Sequence, residues 1–277
     1  APVIQVVNQT TTITALLGGT QGFTKSGAGV LTLNNASNTL SGGISLAAGT
    51  LNFTSGSLGT NLVTFIANAT LGWSAGNTQD VSAQVKVEDG VTATIATGAN
   101  SVILGNSIQT GTNGNASITK TGAGTLTFTA AQSYTGNTRI NGGRIVLSGT
   151  DRLAATSSLL LGQGAGSGVL QLGDASAAST QTLDSIAIAG SGTANAIVGG
   201  NAANSALTIN NSAAVVFAGQ LGGAGTNENN LTLTKLGAAA LTLSNAANSF
   251  TGDVSITGGA LIITRSTALG TGLKTIT

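Results

Sequence analysis

Residues 120–147 read Lys-Thr-Gly-Ala-Gly-Thr-Leu-Thr-Phe-Thr-Ala-Ala-Gln-Ser-Tyr-Thr-Gly-Asn-Thr-Arg-Ile-Asn-Gly-Gly-Arg-Ile-Val-Leu, and this stretch decides the fold. Apolar residues recur at every second position, as in Leu126-Thr-Phe128, so one side chain points inward and the next outward on a strand. Asn141-Gly142-Gly143 separates two such runs and supplies a turn. The same alternation appears in Leu31-Thr-Leu33, Val85-Lys-Val87, Ile186-Ala-Ile188, Leu207-Thr-Ile209, Leu231-Thr-Leu233 and Leu241-Thr-Leu243. No segment carries a 3.6-residue period. The chain reads as all-β.

The stretch has two relatives inside the chain. Lys25-Ser-Gly-Ala-Gly-Val-Leu-Thr-Leu33 and Lys235-Leu-Gly-Ala-Ala-Ala-Leu-Thr-Leu243 open in the same way. Leu40-Ser-Gly, Tyr134-Thr-Gly and Phe250-Thr-Gly then occupy one place, followed by Ile44-Ser-Leu46, Thr138-Arg-Ile140 and Val254-Ser-Ile256. Each copy closes on Gly and an apolar strand: Gly49 to Phe53, Gly143 to Leu147 and Gly259 to Ile263. A unit of about 29 residues with three short strands cannot bury its own apolar face, whereas stacked units can. Hairpin turns that would favour a sandwich are weak. The expected fold is a single-stranded parallel β-helix, or β-solenoid, with residues 1–277 as one domain and repeat units near 25–53, 120–147 and 235–263. At roughly 23 residues per coil, a short solenoid repeat, the chain holds about a dozen coils.

Composition removes most function classes. Of 277 residues, 9 are basic and 8 acidic, for a net charge of +1, so neither nucleic acid nor an anionic membrane has a basic footprint to meet. There is no Cys and no His, which excludes disulfides, thiolate sites and the commonest metal ligand. Apolar runs are short, Ala213 to Gly219 being among the longest, and no segment has the length of a membrane-spanning helix. Aromatic residues make up 3%, too few for the girdles of a transmembrane barrel. With no Met, the chain is expected to be a processed or partial product; its Thr-, Ser-, Asn- and Gly-rich surface suggests an exported bacterial protein.

The repeat resembles the autotransporter-associated β-strand repeat, also called the passenger-associated transport repeat. That pattern runs Lys-x-Gly-x-Gly-x-Leu-x-Leu, then an aromatic residue with Thr-Gly, then an apolar strand and Gly-Gly-x-Leu. Residues 120–147 match it best; the first copy has Leu40 in the aromatic place and the third has Ala239 in place of the second Gly. The resemblance implies a right-handed parallel β-helix in a large secreted or surface-displayed bacterial protein.

No catalytic constellation emerges. The acids are Asp80, Glu88, Asp89, Asp151, Asp174, Asp184, Glu228 and Asp253, and only Glu88 and Asp89 adjoin, in what reads as a turn. Asp174 and Asp184 would share a face only if a short coil separated them. No cofactor or metal motif is present. Trp73, unique in the chain, is the weak candidate for a ligand contact, against a reading as core plug. The lysines that open the copies are expected at exposed corners, where a charge blunts sheet-to-sheet approach and the stem covers apolar surface.

The expected function is a non-enzymatic structural subunit of an extracellular fibre or surface layer. Its partner would be itself, stacked head to tail through ends carrying Val3, Ile4, Val6, Val7, Leu273 and Ile276, with surface glycans or other cell-surface components as further candidate partners. The alternative is an adhesin or autotransporter passenger stalk; a glycan-active enzyme ranks below both. Inward positions carry the stability in any of these readings. Leu31→Ala and Ile145→Ala are expected to lower unfolding free energy by about 2–5 kcal/mol in denaturant titrations.

Overall fold

The computed structural model describes residues 1–277 and contains two compact units. The first comprises residues 1–126 with 133–136, the second residues 127–132 with 137–277. Apart from one short 3-10 turn, Ser82–Gln84, the regular structure is β-strand, and every strand pair described is parallel. This is the expected β-solenoid, about a dozen coils along the chain.

Two ladders organise the first unit. One runs through Val3–Gln5, Phe23–Ser26, Ile44–Leu46, Val63–Phe65, Val85–Val87 and Gln109–Thr110. The other runs through Thr10–Ile13, Val30–Leu33, Thr50–Phe53, Ala69–Trp73, Thr92–Ala96 and Ser117–Thr121. The register places like residues above one another: Leu31, Leu51, Leu71 and Ile95 form one inward column, and Leu33, Phe53 and Trp73 the next. All seven are buried. The second unit repeats the scheme, with Ile145 over Leu170 and Ile197, and with Leu207 over Leu233 and Val254.

Coil length is not uniform. Inside the first copy Val30 pairs with Thr50 and Phe23 with Ile44, offsets of 20 and 21 residues. Between copies the offset grows, to 25 where Thr92 meets Ser117 and 27 where Val169 meets Ala196. It returns to 20 in the third copy, where Ala240 meets Ala260. The uniform coil of the sequence reading is an average over tight repeat coils and wider ones. Nor is a copy three strands: the first holds Phe23–Ser26, Val30–Leu33, the two-residue Thr39–Leu40, Ile44–Leu46 and Thr50–Phe53.

Tight corners need glycine. Gly27 and Gly49 both lie in the left-handed region, at φ +75 and +67. A Cβ at Gly27 would strike the carbonyl oxygen of Val6, and one at Gly49 would strike the carbonyls of Gly27 and Gly29 in the coil before it. Each corner sits directly on its predecessor.

Buried amides tie the coils at another corner. Asn38 accepts the Leu17 N–H at 2.9 Å and donates to the Ser57 carbonyl at 2.8 Å, linking the coil before to the coil after. Asn248 repeats this between Leu221 N–H and the Ala268 carbonyl. Gln132 is buried at the equivalent place of the second copy. Since each loss strands a buried donor and acceptor at about 1–3 kcal/mol apiece, Asn38→Leu or Asn248→Leu should lower the chemical-denaturation midpoint by more than Asn35→Leu, whose bonds to Thr14 and Ser37 lie at the solvent-exposed surface.

Candidate functional site

Alternation governs where the repeat lysines go. Phe23 and Lys25 share a side of their strand, as do Ile118 and Lys120, and Leu233 and Lys235. In register, Lys25 lies between Ile4 and Leu46, Lys120 follows Ile95, and Lys235 lies between Ile209 and Ile256. All three are inward positions of the apolar columns, and all three side chains are fully buried. The expectation of exposed corner charges is therefore overturned. The signal was available: a residue two places from an inward Phe, Ile or Leu points inward too.

Carbonyl oxygens receive the buried charge. Lys25 Nζ donates to Ser26, Gly27 and Ala48 carbonyls at 2.9, 2.8 and 3.0 Å, one bond for each ammonium proton. Two of these belong to its own corner and the third to the next coil. Lys235 likewise donates to the carbonyls of Gly237, in its own corner, and Gly258, in the next coil. Lys120 donates to Thr121 and Gly122 carbonyls at 3.2 and 2.8 Å. The ion pairs of the chain, Lys86–Glu88 and Arg144–Glu228, lie elsewhere. Burial pushes all three amines below the usual lysine range, Lys120 to about 8. Each lysine acts as a clasp that satisfies a glycine corner from within.

The acids are dispersed. Asp174 accepts from the Ser148 hydroxyl at 2.6 Å and from the N–H groups of Ser176 and Ala177, which hold its carboxyl below the usual range against the opposing effect of burial. Asp184, whose N–H bonds the Ser157 carbonyl, stands at a different corner, so the two do not stack. Glu88 pairs with Lys86 at 2.6 Å, and Asp89 accepts from the Asn113 backbone and side chain. Burial raises the Glu228 carboxyl, but the 2.6 Å bond from Arg144 and that from the Gly225 N–H outweigh it and hold it low. No group of three or more acidic, His or Cys side chains is placed to hold a metal.

Trp73 is 4% exposed, its Nε1 donates to the Gln79 carbonyl at 2.9 Å, and its ring meets Phe53 edge-on at 5.0 Å. It fills the core and presents no face to a ligand. Tyr134 and Phe250 are buried as well. Of the residues assigned to assembly ends, Val3, Val7, Leu273 and Ile276 are exposed, Ile4 is half-buried and Val6 is buried. Ile276 also bridges to Val254, so it is already part of a parallel pair.

A stack of parallel coils, closed at glycine corners and clasped by buried lysines and amides, defines a repeat solenoid. The passenger-associated-transport-repeat family model matches residues 23–53, 118–147 and 233–263, so the chain carries three copies of that repeat. Over 74 residues the chain is 47% identical to the adhesin BmaC autotransporter of Brucella suis biovar 1 (strain 1330); the match covers 27% of this chain and 2% of that protein. No solved structure matches.

The clasp has a pH signature. Between about 8 and 10.5 the unfolded chain holds more protons on residue 120 than the folded chain does, so this group makes stability rise with pH through that window. Lys120→Met should abolish that rise when unfolding free energy is measured from pH 7 to 11. Lys25→Met, which strands the Gly27 and Ala48 carbonyls while Ser26 keeps the Val6 N–H, should cost on the order of 2–5 kcal/mol at pH 7.

Proposed function

We propose that this chain is a non-enzymatic segment of the passenger of a bacterial surface adhesin, exported by the autotransporter route and serving as a β-solenoid stalk. One observation carries the reading: the three passenger-associated transport repeats, reinforced by the 74-residue likeness to an autotransporter adhesin. The burial of the repeat lysines in structural clasps and the dispersal of the carboxylates agree with it.

Fibre assembly through Val3, Ile4, Val6, Val7, Leu273 and Ile276 is the second reading. What favours it is the exposure of Val3, Val7, Leu273 and Ile276. It ranks behind the stalk because the repeats and the 74-residue likeness both point to an autotransporter passenger.

Fusion of the chain to an autotransporter translocator barrel tests the primary reading. The chain should reach the outer face of the cell as a folded segment, sensitive to added protease only after denaturation. Retention inside the cell, or a hydrolytic activity against polysaccharides in the purified chain, would overturn it. Sedimentation velocity at rising concentration tests the fibre, which requires growing polymers.

A further inference from the structure

One face of the second unit is interrupted. The ladder reaching Ser185–Gly190 is not continued by the next coil: Val215–Phe217 begins a separate ladder with Ala240–Leu243 and Ala260–Ile263. The other faces run through this level unbroken, Thr180–Leu183 pairing with Ser205–Ile209 and Ala196–Gly199 with Gln220–Leu221. Beside the interruption lies a groove of about 390 Å³ whose lining includes Ile188, Gly192, Thr193, Ala218, Gly219 and Asn245.

Two asparagines fix its rims. Asn195 donates to the Gly192 carbonyl at 2.7 Å, and Asn245 donates to the Ala218 carbonyl at 2.9 Å. Their own oxygens are held by the N–H groups of Gly168 and Ala247. The backbone N–H groups of Gly192, Thr193, Ala218 and Gly219, by contrast, bond nothing within the protein. Gly219 is buried, and a buried amide is rarely left without an acceptor. A Cβ at 219 would meet the Phe217 ring and the Ile188 methyl, so the backbone itself forms this part of the groove wall. No charged residue lines the groove.

We propose that this groove binds an uncharged saccharide unit. Sugar hydroxyl oxygens accept from the open amides, and the C–H face of the ring lies against Ile188 and Ala218. The volume falls in the range of small-molecule sites. An acidic sugar would lose hydration from its carboxylate with no cation in the lining to compensate. The proposal deepens the adhesin reading by naming a ligand class, and it rests on that reading for its biological setting.

The test is a ¹⁵N NMR titration of the full chain with lactose, cellobiose and diacetylchitobiose, and with galacturonate as charged control. At least one neutral disaccharide should give saturable shifts at the amides of Gly192, Thr193, Ala218 and Gly219, and galacturonate none. Ala218→Trp, which fills the groove from an exposed position, should weaken binding at least tenfold. Thr193→Pro removes one donor outside any strand and should weaken it as well, with an unchanged circular dichroism spectrum for either variant. Absence of saturable shifts with all three neutral sugars, shifts with galacturonate alone, or undiminished binding by both folded variants would overturn the proposal. The assay reads the purified chain, so a failure here leaves surface display standing, and a failure of display leaves binding standing.

Discussion

Successive coils pair in parallel and in register, and the other features of this solenoid follow from that pairing. A strand in the stack bonds one coil before it and one coil after it, so corners must superpose as closely as strands do. Gly27 and Gly49 answer the steric side of this demand, since a side chain at either would enter the backbone of the preceding coil. The polar side is harder. A corner leaves carbonyls that no strand partner reaches, and unpaired polar groups inside a core are costly. Lysine ammonium groups and asparagine amides, reaching in from the core side, supply the missing donors.

This use of lysine is an unusual economy in a chain with so few charges. A buried ammonium is tolerated because carbonyl dipoles, three of them at Lys25, take the place of its hydration shell. The stem passes through the apolar column and contributes to it, while the heads of Lys25 and Lys235 each bond two successive corners. Exchange for an uncharged residue of similar length would preserve the packing and orphan the carbonyls, so the charge serves the backbone rather than a partner.

The same architecture shapes what the molecule can offer outward. Its reactive groups are either inside the clasps or dispersed over corners in separate coils, so no two carboxylates converge on a reacting atom. What the molecule presents outward is then its faces and the interruptions in them. The break beside Val215–Phe217 is one such interruption, and backbone N–H groups without a partner in the protein lie beside it.

Much of this was legible in the residues alone. Alternation in Leu31-Thr-Leu33 or Leu126-Thr-Phe128, punctuated by glycine and repeated three times, determines parallel stacked strands, because no single unit can hide its apolar side. The inward position of Lys25, Lys120 and Lys235 was written in the same alternation, yet charge argued for the surface, and only the stacked corners reveal the carbonyls that outweigh it. Asn38, Gln132 and Asn248 occupy one place in the three copies, but an asparagine in a loop carries no mark of bridging three coils. Register, too, belongs to the tertiary structure: Thr10, Thr50, Thr70, Thr94 and Thr119, scattered in the chain, fall into one column that Val30 interrupts. Local sequence sets which side of a strand a residue takes; which residues of distant coils meet depends on coil lengths, and these vary from copy to copy. The broken face lies beyond sequence for that reason, since it arises where two neighbouring coils pack without pairing their backbones.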